Sequence, residues 1–280
     1  MPAAAGVYFN QANVSGNLII QAAQPKEPSK PPQPFEPETV LIPVGPFVMG
    51  SQPGDDIPGY EIPAHEVDLP AYRIGRYPVT NRQYAEFIKR EWRQEVPDKK
   101  FGWMSRQPPA NQGDHPVVGI SWHDAQAYCD WLYQETGRRY RLPTEAEWEK
   151  AARGAAGGRY PWGDEWEDGR CHHSAQGTVP VSAYPEGASE YGCYHMLGNV
   201  QEWTSTLWGS DTRENAFPYP YRADDGREDL EAEQRLPVVY RVHRGGSYRD
   251  ERSTLRCSTR GYASPTSKIG WRGFRVVLEV

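Results

Sequence analysis

The residues in this chain that could do chemistry are notable for their spacing. Cys129, Cys171, Cys193 and Cys257 stand far apart and form no CxxC pair, which argues against a zinc site and against a disulfide-stapled secreted module. Lone cysteines in a large domain behave as small buried hydrophobes; one bridge among the four stays open. The histidines are His65, His115, His123, His172, His173, His195 and His243, and none has HxxxH or HxxE spacing with clear ligand geometry. The adjacent pair His172 and His173 would point to opposite faces of a strand. Recognition chemistry is better supplied: residues 248–271 mix aromatics, arginines and small polar side chains, the combination of adaptable binding surfaces.

Local signals name several of the elements that must position these groups. Thr80 caps a helix with Tyr84, Phe87 and Ile88 on one face. Ser121 and Asp124 open a second helix, whose apolar side is Ala125, Tyr128, Cys129 and Leu132, with Gly137 near its end. Thr144 and Glu147 repeat the device ahead of Trp148, Ala151 and Ala152, and Gly154 stops that helix. Strands are expected at residues 40–44, 47–50, 66–69, 240–248 and 273–277. Between Gly154 and about residue 240, Gly, Pro, Trp and Tyr dominate and long structured loops are expected. Residues 222–234 are rich in charge and poor in apolar side chains, so a solvated or mobile insertion is expected there.

Bulk properties narrow the field further. The chain has 280 residues, 38% of them hydrophobic, with 27 Gly, 26 Pro and 10 Trp. Turns and large rings therefore replace the aliphatic stripes of a helical bundle. The formal charge of −6 is spread along the chain, so neither nucleic acid nor an anionic membrane is an expected partner. No apolar run reaches membrane-span length, and no basic n-region precedes an apolar h-region, so a cytoplasmic location is expected. Residues 1–23 read as a small hairpin or a tail that tethers the chain to a partner, and residues 24–38 as a Pro-rich linker. The main domain runs over residues 39–280.

Eight segments, in order, resemble the sulfatase-modifying-factor family, the formylglycine-generating enzymes and their relatives. They are Phe47-Val48-Met49-Gly50-Ser51; Tyr77-Pro78-Val79-Thr80-Asn81 with Tyr84; His115-Pro116-Val117-Val118 with Ser121-Trp122; and the run from Arg141-Leu142-Pro143-Thr144 to Trp148-Glu149. Tyr160-Pro161-Trp162-Gly163, Gly198-Asn199-Val200-Gln201-Glu202-Trp203, Arg244-Gly245-Gly246-Ser247 and Gly273-Phe274-Arg275 complete the set. The resemblance implies an α+β fold of the C-type-lectin-like class, loop-rich, with few helices and short strands. The paired glycines before Ser247 permit backbone approaches that a Cβ would block. Arg244 and Arg275 are forks able to pin loops by their carbonyls, and Trp148, Trp162 and Trp203 supply core area.

What the resemblance implies about function depends on the branch. The oxidising members bind copper through two cysteines shortly after the RGGS-type segment, where soft thiolates suit Cu(I). Asp250 aligns with the first of these, the second falls in a local deletion, and Cys257 corresponds to a later, non-ligand position. A second branch comprises iron-dependent sulfoxide synthases that take histidines from an added helical domain, for which residues 1–39 leave too little chain. A third branch contains binding proteins, including the variable proteins of diversity-generating retroelements. Their diversified surface corresponds here to Tyr248, Arg249, Asp250, Glu251, Arg252, Ser253, Thr259, Tyr262, Ser264, Thr266, Lys268 and Trp271. Tyr248, Tyr262 and Trp271 would be its anchors, or Tyr262 and Trp271 core residues beside Phe274. The reading that follows is a non-catalytic ligand- or protein-binding module. It would be a variable protein or a sensing component of a bacterial defence or signalling assembly, and the runner-up is a metal-dependent oxidoreductase using iron or copper. No cofactor is required. Relatives can hold structural calcium, for which Asn199 and Glu202 are the local candidate pair.

Overall fold

Three reciprocal side-chain caps fix where the helices start. Thr80 and Gln83 exchange bonds at the head of α1 (Asn81–Arg90), Ser121 and Asp124 at the head of α2 (Trp122–Thr136), and Thr144 and Glu147 at the head of α3 (Glu145–Arg153). Gly137 ends α2 at φ +71°, in the left-handed region that a Cβ disfavours. All three helices stand where the sequence places them. The computed structural model describes residues 31–54, 57–211 and 215–280. The expected hairpin or tail at residues 1–23, and residues 24–30 of the linker, lie outside these. Among the described residues no helix is long and apolar enough to cross a membrane.

The strands are β1 (Thr39–Ile42), β2 (Gly45–Met49), β3 (His65–Leu69), β4 (Tyr72–Gly75), β5 (Tyr140–Arg141), β6 (Gln201–Gly209), β7 (Tyr240–Arg244), β8 (Arg260–Ala263), β9 (Arg272–Phe274) and β10 (Val277–Leu278). One sheet has the order β1-β4-β10-β5, so the C-terminal strand is clamped between β4 and β5, with Val277 opposite both Ile74 and Arg141. A second has the order β8-β7-β6-β9, and β2 pairs with β3 alone. Rings fill the space between helices and sheets: Tyr84 stacks on Tyr128 at 5.8 Å, and both meet Phe274 edge-on. The result is α+β, with short strands and extensive loops.

Three departures from the sequence expectations bear on the site. β6 falls inside the stretch expected to be loop, although every residue of it but Gln201 is buried. A strand covered on both faces has no period-two alternation to betray it. The charged stretch 222–234 is docked: Arg227 is 0% exposed, and the Glu228 carboxylate accepts from Ser205, Thr206 and Tyr221 hydroxyls at 2.7, 2.6 and 2.9 Å. Arg227 and Glu228 are thus internal partners of the fold, while Arg222, Asp224, Asp225 and Glu231 stay exposed as the sequence suggests. Packing also reaches back into the Pro-rich segment before Thr39. Phe35 packs on Trp131 at 5.1 Å, and buried Glu36 accepts from Arg138 and Tyr140.

Candidate functional site

Glu145 and Glu149 lie one turn apart on α3, so both project to the same side. That side faces the interior, where each meets an arginine. Arg260 forks onto Glu145 at 2.7 and 2.8 Å, while Arg244 bonds Glu149 and the carbonyls of Cys257 and Ser258. Glu149 also accepts from the Gly50 N–H at 2.8 Å. A second fork joins Arg275 to Glu202 at 2.6 and 2.7 Å, and Trp148 Nε1 donates to the same carboxylate at 2.7 Å. Arg275 further pins the Gly75 and Tyr194 carbonyls. These six charged residues are at most 2% exposed; removing one partner of a buried pair costs about 3–5 kcal/mol. Arg244 and Arg275 thus hold loops as the sequence suggests. Trp148 and Trp203 are core, but Trp162 is only half-buried.

The frame delivers the chain into a tightly folded loop. Gly246, at φ +65°, lies where a Cβ would sit 2.3 Å from Leu255, so glycine is strongly favoured. Asp250 then closes the turn, its Oδ2 accepting from the Ser247 N–H at 2.7 Å and the Ser247 hydroxyl at 2.8 Å. Backbone bonds from Ser174 to Asp250 O and from Ala175 to Tyr248 O tie this loop to the one carrying His173. On the outer side, the Arg249 guanidinium lies 4.2 Å from the Trp271 ring centre, and that of Arg252 lies 5.2 Å from Trp166. Trp166 in turn meets His173 edge-on at 5.1 Å.

Beneath the loop is a cavity of about 140 Å³ lined by Gln201, His243, Arg244, Gly246, Asp250, Thr254, Thr259, Arg260 and Gly261. His243 is 8% exposed. Burial, with Arg272 nearby, holds its pKa well below the ordinary value, so it is a neutral wall residue at pH 7. It presses against Gly261, where an added Cβ would come within 2.2 Å of the imidazole.

The residues expected to form one surface divide among four places. Tyr248, Arg249, Glu251, Arg252, Ser253 and Trp271 share the outer loop region; among them Arg249, Glu251, Arg252 and Ser253 are exposed, and Tyr248 and Trp271 are half-buried. Asp250 and Thr259 face the cavity. Tyr262 stacks on Trp208 at 4.4 Å and meets Tyr240 edge-on, toward the end of β6 remote from Gln201, whose N–H bonds Trp271 O. Neither Tyr262 nor Trp271 is a core ring, and they do not meet. Ser264 and Thr266 bond one another in a turn against the start of α2, and Lys268 is claimed by Glu95 and Asp124 at 2.9 and 3.0 Å. Sequence reasoning missed Trp166 and weighed His173 only as a metal ligand; their signal was an aromatic and histidine cluster.

The metal-capable residues also go to separate partners. Asn199 Nδ2 donates to Val179 O, and its Oδ1 accepts from Val179 N, at 3.2 and 3.1 Å. Glu202 is neutralised by Arg275, so a calcium ion at its carboxylate would have to displace a guanidinium. His172 bonds Gly177 O, whereas His173 bonds the Ser174 hydroxyl. All four cysteines are free and buried. Burial raises the Cys257 thiol to about 12, leaving no thiolate at neutral pH.

The family profile of the sulfatase-modifying factor enzyme 1-like domain matches residues 24–280. The chain is 33% identical over 272 residues to the serine/threonine-protein kinase pkn1 of Chlamydia pneumoniae, covering 92% of this chain and 40% of that protein. It is 35% identical over 280 residues to the hercynine oxygenase of Mycolicibacterium smegmatis, covering 86% of this chain and 61% of that protein. It therefore spans less than two thirds of either relative. Among solved structures, PvdO from Pseudomonas aeruginosa matches with a TM-score of 0.71 at 26% identity, over 89% of this chain and 96% of that one. On the match to nearly its whole length, and on a fold whose buried frame is built from the very motifs that suggested it, the chain belongs to the sulfatase-modifying factor enzyme 1-like family, with the C-type-lectin-like fold.

Proposed function

We propose that this chain is a non-catalytic binding module on the formylglycine-generating-enzyme scaffold, taking a protein or other macromolecular ligand on the outer loop of Tyr248, Arg249, Arg252 and Trp271. The observation that carries this reading is the use made of Asp250. It stands where the oxidising relatives place a copper cysteine, and its carboxylate closes a turn onto Ser247. The nearby thiol, Cys257, is 0% exposed and held protonated. A retroelement-diversified variable protein or a sensor in a bacterial defence or signalling assembly is the finer identity proposed. A reverse transcriptase gene beside a near-copy of the C-terminal coding segment would distinguish the first.

The test pairs melting with titration. Tyr248→Ala and Trp271→Ala should each weaken capture of a partner by roughly 2 kcal/mol while leaving the melting temperature nearly unchanged. Normal binding by both variants would remove this surface as the site. The second reading, a metal-dependent oxidoreductase, draws on the resemblance to a hercynine oxygenase. Among the described residues, no three His, Cys, Asp or Glu side chains are grouped to hold a metal ion, so its ligands would have to come from elsewhere. Stoichiometric copper or iron in protein purified without chelator would favour that reading.

A further inference from the structure

Building on the binding reading above, we infer that the outer loop recognises an acidic protein segment, with Arg249 and Arg252 gripping its carboxylates. The interior arginines are consumed by the frame. Arg249 and Arg252, in contrast, are exposed, and among the described residues neither guanidinium has a hydrogen bond or an ion pair. Both are nevertheless held in place, one on the face of Trp271 and the other on the face of Trp166. A guanidinium attracted to a ring face is restrained there while its N–H groups remain available to pair. Much of the rotamer entropy that binding would otherwise cost is therefore already lost. An open, restrained fork fits a planar or near-planar anion taken bidentately, which means a carboxylate or a phosphate.

Charge favours the carboxylates of a protein segment over a phosphate backbone. The chain carries a net −6, and acids adjoin both forks: Glu251 is exposed between the two arginines in sequence, and Asp168 accepts from Trp166 Nε1 at 2.7 Å. A continuous polyphosphate would run across these carboxylates. A segment with two acidic side chains and an apolar residue between them would meet the forks alone, its apolar residue covered by the half-buried indoles. Lys268, the third cation expected on this surface, is excluded by its pairs with Glu95 and Asp124.

The probe is a labelled peptide in which two glutamates flank a leucine, titrated by anisotropy against the 280-residue chain, beside oligodeoxythymidylate of equal charge and phosphatidylserine vesicles. The peptide should bind, added salt should weaken it, and Arg249→Gln and Arg252→Gln should each cost about tenfold in affinity. Arg249→Lys should cost less, because charge stays while the fork goes. Melting temperatures should not move. The inference is overturned if the peptide fails to bind, if both glutamine variants bind like the parent, or if DNA or vesicles bind more tightly than the peptide. A partner whose capture depends on Trp271 but ignores both arginine substitutions would leave the binding reading standing and remove the acidic segment.

Discussion

Replacing Glu36 should unfold the domain far more easily than a residue of a proline-rich spacer would suggest. Its carboxylate accepts two bonds from Arg138 at 2.6 Å and one from the Tyr140 hydroxyl at 2.7 Å, with the Glu36 and Arg138 side chains only 2% and 8% exposed. Glu36→Ala leaves Arg138 buried without its carboxylate, a loss of about 3 kcal/mol at the lower end for broken buried pairs. With a urea slope of about 3 kcal/mol/M, the midpoint should fall by roughly 1 M. Glu36→Leu with Arg138→Met should recover part of this, because apolar replacement of a buried pair is close to neutral while the Tyr140 hydroxyl loses its acceptor. A chain starting at Pro31 should melt like the parent, and one starting at Thr39 should be at least as unstable as Glu36→Ala, since it also loses Phe35 from Trp131 and Arg90. Equal urea midpoints for the two truncations would refute the reasoning and return the domain boundary to Thr39.

Three further expectations can be checked on the same protein. Burial holds His243 well below 6.5 and His195 at about 4, so below pH 6.5 the unfolded chain takes up protons that the folded one refuses. Stability is complete above that value and falls as pH drops, by up to about 1.4 kcal/mol per unit for each histidine, and His195→Gln with His243→Gln should flatten urea midpoints plotted against pH. None of the four cysteines should react with a thiol reagent until the chain is denatured, because all are buried and free; fast modification of Cys257 in the native state would contradict its burial. A structural calcium at Asn199 and Glu202 would raise the melting temperature when added to chelator-treated protein, and with Glu202 already paired to Arg275 no such rise is expected.

The helices were legible because their signals are local: a cap, a reciprocal acid or amide three residues on, and an apolar face at helical spacing. β6 was not, because its specification is tertiary. Thr204, Thr206 and Trp208 suit a strand, yet burial of both faces removes the alternation that would reveal one. The charged stretch around Arg227 and Glu228 misled for a related reason. Composition reports charge but not its partners, and those partners are hydroxyls on β6 and the rings of Phe217 and Tyr221. At the site, the position of the loop after Ser247 was readable from its framing motifs. Its division was not, because the positions of Tyr262 and Lys268 depend on Trp208, Glu95 and Asp124, which are remote in sequence.

The family motifs and the proposed binding residues answer to different constraints, and this governs how variants should be interpreted. Glu145 and Glu149 would repel one another on a bare helix face. They are tolerable inside the protein because arginines reach them: Arg260 from β8 and Arg227 at Glu145, Arg244 from β7 and Arg153 of the same helix at Glu149. Helix α3 is therefore tied to the second sheet, and the second sheet fixes where the loop after Arg244 leaves it. Loss of binding in Glu149→Gln or Arg244→Ala would consequently accompany loss of folding and would say nothing about contact. Arg249 and Arg252 leave that frame intact when replaced, since their stabilising neighbours are the exposed sides of Trp271 and Trp166. Loss of binding at these two positions without loss of stability is the pattern that a contact surface produces and a structural frame cannot.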